Sequence, residues 1–166
     1  MRTFLRAGIR EERWLRDDYP WLASGQVPAD AMRDLATKGN TLSVFEVDDD
    51  EIDTRYVVAA WWAAGDHNDR PADVGFATFD IDSVQRLGLK LARTAGRTAA
   101  HDVDVLHVNI EELSAVRLAE LAAIIAQGAT DVVLRRELVT LIERSLGDRR
   151  FDLERVNPKL LERFTA

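Results

Sequence analysis

Hydrophobic and polar positions along the 166-residue chain follow two periods, and the switches between them mark the elements. Phe4-Leu5-Arg6-Ala7 reads as a short first strand and Leu42-Ser43-Val44-Phe45-Glu46-Val47 as a second. A third, Val74-Gly75-Phe76-Ala77-Thr78-Phe79, follows the polar loop 66–73. Leu87, Leu89 and Leu91 alternate as a strand requires, and Gly88 weakens a helix drawn through them. A short helix capped by Asp80 or Asp82, then a strand, is therefore expected. Residues 103–110 are expected as the next strand, with Leu106, Val108 and Ile110 on one face and His107 and Asn109 on the other.

The helical period occupies the rest. Residues 10–18 suit a short surface helix closed by Tyr19-Pro20. Pro28 suits a first turn, Met32 and Leu35 share a face, and Gly39-Asn40 supplies a stop. Asp53 or Thr54 caps a helix ending at Gly65, with Tyr56, Val57, Ala60, Trp61 and Ala64 on one side. The acidic run 48–51 precedes its N-terminus, where the helix dipole favours negative charge. Asn109 with Glu112 three positions on matches a capping box for a helix running to Gly128. Asp131 then opens an amphipathic helix ending at Gly147, and Asn157-Pro158 starts a last one carrying Leu160, Leu161 and Phe164. This order predicts a single α+β domain over 1–166. Residues 1–110 would hold a small mixed sheet of about five short strands packed by helices, and residues 111–166 would be helical.

Composition narrows the function classes. Hydrophobic residues make up 46% and charged residues 31%, as in folded globular domains. Absence of cysteine excludes disulfide frameworks and cysteine chemistry and suits a reducing compartment. The longest apolar stretch, 56–64, is about half of the ~20 residues that cross a bilayer. Arg6, Arg10, Glu11 and Glu12 interrupt any leader-like apolar run. The expectation is a soluble, cytoplasmic protein of bacterial type with no membrane partner. A net charge of −7 with dispersed basic residues argues against nucleic acid. Arg86, Lys90, Arg93 and Arg97 form a basic stripe only on one continuous helix, and the helix–strand division dissolves it.

Candidate chemistry is sparse. On one strand His101 and His107 would share a face about 20 Å apart, too far for one metal ion. The 66–73 loop is rich in oxygen ligands but lacks the central Gly and closing Glu of an EF-hand, so it reads as a solvated loop. Ser24 lacks the frame of a nucleophile elbow, and no phosphate-cradling glycine loop is present. No metal and no cofactor is expected. Trp61 and Trp62 are adjacent, so one helix face cannot bury both; either the helix is sandwiched between layers or one ring packs on a partner. The order Arg6, Ser43, Glu111 is similar to the Arg–Ser–Glu order of arginine-type ADP-ribosyltransferases. The family's Ser-Thr-Ser triplet and Glu/Gln-x-Glu turn are absent, and three isolated residues identify no family.

Two functional expectations follow. The first is a non-catalytic acidic protein-interaction module, immunity-like or accessory, working through a protein partner or as a homo-oligomer. The alternative is a small, transferase-like enzyme assembled around the 107–111 strand–helix junction, with His107, Glu111 and Arg6 as its catalytic residues. Whether His107 faces a cleft or the core discriminates between them.

Overall fold

The computed structural model describes residues 2–14, 19–48, 50–66 and 68–165. Among these, six strands form one sheet: β1 (Arg2–Ala7), β2 (Leu42–Asp48), β3 (Val74–Asp80), β4 (Lys90–Arg93), β5 (His107–Glu111) and β6 (Ala129–Val133). Their spatial order is β4-β5-β2-β1-β3-β6, and every pairing is antiparallel. The helices are α1 (Thr54–Ala63), α2 (Ile81–Arg86), α3 (His101–Asp104), α4 (Ala115–Gln127), α5 (Arg135–Gly147) and α6 (Pro158–Thr165), with 3₁₀ turns at Glu11–Arg13 and Ala29–Leu35.

The central strands are apolar on both faces, so both faces must be covered. Leu5, Phe45, Val47 and Phe76 pack with α1, α5 and α6 in one core. Phe4, Val44, Ala77 and Phe79 pack with the 29–35 segment, α2 and α4 in the other. Helix α1 is enclosed on nearly every side, since it contacts both β1 and α5. That placement resolves the adjacent tryptophans: Trp62 is in the core and Trp61 is half-buried.

The α+β class is as expected, with six strands rather than five. The additional strand is β6, which falls inside the segment read as helical. Val132 and Leu134 extend the apolar arc of the following helix, and Asp131 resembles its cap. Pairing of Val74–Thr78 with Ala129–Val133 overrides that period, and α5 begins only at Arg135. Residues 111–166 are therefore not wholly helical.

Residues 103–110 also divide. His101–Asp104 form one helical turn, and β5 starts at His107. Asp104 holds the turn, accepting from Thr98 N and Oγ1 at 2.8 Å each and pairing with Arg155. The capping box does not form, because β5 continues to Glu111 and Glu112 takes a positive φ of 60°. Helix α4 is capped instead by Ser114, which accepts from Arg117 N. Residues 86–93 divide into a helix end and a strand, as expected, and 94–97 are irregular. Of the helix expected over 10–18, residues 11–13 form a single 3₁₀ turn and 15–18 lie outside the described residues. No described helix is long and apolar enough to cross a membrane.

Candidate functional site

Strands β1 and β2 pair only where Arg2–Leu5 faces Phe45–Asp48. Beyond Leu5, β1 stays with β3 through Arg6 and Ala7, while β2 stays with β5 through Ser43 and Leu42. The sheet forks at Arg6. Its guanidinium bridges the fork, with Nη1 donating to the Ser43 carbonyl and Nη2 to the Asp34 carbonyl, both at 3.0 Å.

Neither acceptor is a carboxylate. The Asp34 side chain is committed elsewhere: it accepts from Arg10 N at 2.8 Å and Trp14 Nε1 at 2.9 Å, and it pairs with Arg13. Arg6 Nε is buried without any partner. Burial pushes the Arg6 pKa down to about 10, opposed by the charge of Asp34. The group is still cationic at neutral pH, and it is a half-buried cation without a directly bonded counter-charge.

The fork opens into a cleft of about 470 Å³. Arg6 and Ala7 line it on the β1 side, and Ser43, Phe45, His107 and Asn109 line it from β2 and β5. Trp61 of α1 and residues 94–98 complete it. Two glycines permit the close approach. Gly96 is so tight that a Cβ would lie 3.1 Å from His107 Cβ and 3.3 Å from Asp104 Cα. At Gly8, φ is +82° and a Cβ would meet the Trp61 ring at 3.3 Å.

A polar chain runs along the β2–β5 wall. Ser43 Oγ donates to Asn109 Oδ1 at 3.3 Å, and Asn109 Nδ2 donates to Thr94 Oγ1 at 3.1 Å. Thr94 Oγ1 lies 2.9 Å from His107 Nδ1. Because Thr94 already accepts from Asn109, its own proton is available for Nδ1, and the neutral ring then carries its proton on Nε2. A protonated ring would instead donate from Nδ1 to the Thr94 carbonyl at 3.2 Å. A neutral ring can make that same bond, and its Nε2 is then an acceptor. Phe45 steadies it from the side, edge-on at 5.7 Å.

The charge of the cleft is one-signed. Among the described residues no Asp or Glu lines it, while Arg6 and Arg97 do. The other basic residues of 86–97 are neutralised: Arg86 by Asp80, Lys90 by Glu111 and Glu112, and Arg93 by Glu46. Arg97 is exposed, and it makes no ion pair among the described residues.

Of the residues expected from sequence, Arg6 and His107 meet in one cleft, joined by Ser43 and Asn109. Glu111 does not line it; it pairs with Lys90 at 3.2 Å at the far end of β5. Hydrogen bonds from Lys90 to Glu112 and then Glu111 hold the ammonium above its ordinary pKa. His101 lies on α3, 3.1 Å from Asp152. His67, of the oxygen-rich loop, is outside the described residues, and among those described no three His, Asp or Glu side chains converge to hold a metal ion. Thr94, Arg97 and Trp61 were not legible as site residues, since strand register and loop packing bring them in. Comparison with protein-family profiles, curated proteins and solved structures gives no match.

Proposed function

We propose that the protein binds a small anionic molecule in the Arg6–His107 cleft. One observation carries this reading: Arg6 is a half-buried guanidinium whose Nε is buried without a partner and whose hydrogen-bond partners are two carbonyl oxygens and no carboxylate. Burying a charge without its counter-charge is costly, and an incoming anion removes that penalty. The surrounding groups suit the same ligand, being the Arg97 guanidinium, the Asn109 amide and the His107 imidazole. A chain of net charge −7 thereby presents a local cationic hollow. Its volume lies within the roughly 300–1,000 Å³ typical of small-molecule sites. In the enzymatic form of the reading, His107 handles the proton at Nε2 and Arg6 orients the substrate. A cysteine-free composition suits the reducing bacterial cytoplasm, the setting proposed for it.

Thermal unfolding in phosphate and in chloride at equal ionic strength tests the proposal. Ligand at about ten times Kd stabilises by about 1.4 kcal/mol, so the midpoint should rise in phosphate by a few degrees. Arg6→Gln should abolish the difference, and an unchanged phosphate response in that variant overturns the proposal.

Trp21 supports the interaction module as a second reading. It is 71% exposed and edge-on to Tyr19 at 5.7 Å, and tryptophan is prominent among binding hot spots.

A further inference from the structure

We infer that the cleft takes a phosphate monoester carrying a planar aromatic body. Its phosphoryl group would be shared by Arg6 and Arg97, and its ring would lie against Trp61. This rests on the reading that the cleft holds an anion, and it specifies the charge and shape of that anion.

Charge balance comes first. Two guanidinium groups line the cleft with no carboxylate beside them. A carboxylate ligand would neutralise one; a phosphate monoester carries about −1.5 to −2 at neutral pH and matches both. Its three oxygens also require several donors. Arg6, Arg97 and the second Nδ2 proton of Asn109 offer more than a two-oxygen carboxylate can use, and His107 adds Nε2 when that nitrogen carries its proton.

Shape comes second. Apolar surface from Ala7, Phe45, Trp61 and Ala95 accompanies the donors, so the cleft is not a bare oxyanion site. A second cavity of about 330 Å³ shares Gly96, Arg97 and Thr98 with it and reaches Ala64 and Arg155. Ala64 is the residue that ends α1, three positions after Trp61. The hollow therefore continues past Gly96, Arg97 and Thr98 to Ala64 at the end of α1. Arg155 adds little free charge there, because Asp104 and Asp152 already pair with it. An organic body in the cleft shares it with the Trp61 indole, and ring stacking on tryptophan is favourable for any planar aromatic.

Isothermal titration of the full chain with phenyl phosphate, inorganic phosphate and benzoate tests the inference. Phenyl phosphate should bind about tenfold or more tightly than either of the others, since each lacks one of its two recognised features. Arg97→Gln, at an exposed position that leaves the fold intact, should weaken phenyl phosphate by about tenfold to a hundredfold and benzoate by less than about threefold. Trp61→Leu, with folding checked by circular dichroism, should weaken phenyl phosphate and leave inorganic phosphate unchanged. If benzoate equals phenyl phosphate, or Arg97→Gln weakens both alike, the dianion assignment is overturned while the anionic cleft stands. If Trp61→Leu leaves phenyl phosphate unchanged, the aromatic assignment is overturned. If none of the three binds and Arg6→Gln alters nothing, the underlying reading falls with it.

Discussion

Arg6 and Asp34 divide one electrostatic task between them. The Asp34 carboxylate gathers Arg10 N, Arg13 and the Trp14 indole, while its carbonyl holds Arg6 at the fork. Its side chain is only 3% exposed, so removing it takes the acceptor from three donors, of which the Trp14 indole is buried. Asp34→Ala should therefore lose about 3 kcal/mol or more in urea unfolding, as breaking a buried charge pair does. A loss below about 1 kcal/mol would show that the carboxylate is dispensable, since exposed pairs contribute no more than that. Little of this is visible in the sequence. Asp34 sits in a short segment of mixed polarity, where a charged residue ordinarily faces solvent, and no local spacing links it to Trp14. Arg6 stood out as a catalytic candidate beside Ser43 and Glu111, but nothing local shows that its guanidinium meets carbonyls and no carboxylate.

At the scale of elements, the segment 94–104 governs the site. The Thr98–Asp104–Arg155 bonds close it into a turn, and Gly96 lets it press against His107. Gly96→Ala should push the turn off β5, cost about 1–3 kcal/mol as overpacking does, and remove the phosphate response. The matched control is Gly147→Ala at the end of α5, where nothing lies within 4 Å of the added carbon. Its unfolding midpoint should stay level or rise slightly, because alanine restricts the unfolded chain. A Gly96→Ala protein that behaves like the control would show the contact to be slack. The capping box expected of Asn109 fails for an instructive reason. Local spacing offered Asn109 a cap, whereas pairing with Ser43 kept it in the sheet, and that pairing is what delivers it to the cleft.

The whole molecule is a sheet covered on both faces, so its stability should concentrate in β1, β2 and β3. Amide hydrogen exchange should be slowest there and fastest, among strands, in the edge strands β4 and β6. Equal protection across all six would contradict a core centred on β1. Strand and helix identities for most of the chain were legible because period-2 and period-3.6 patterns depend on near neighbours alone. The α+β class, the helix–strand division over 86–93 and the Asn157–Pro158 helix start all follow from such local preferences. Strand β6 and the α3 turn were not, since long-range pairing and a buried carboxylate outweigh the local period there. Nor was the cleft, which depends on where two strands part and on which of many charges is left without a partner. Arg6 and Arg97 are 91 positions apart, and only the packed sheet makes them neighbours of one hollow. Sequence by itself determined most of the elements, because backbone preference and burial period are local; β6, the fork, the cation without a carboxylate and the one-signed cleft were decided by tertiary structure, because strand pairing, desolvation and charge pairing exist only once the layers close.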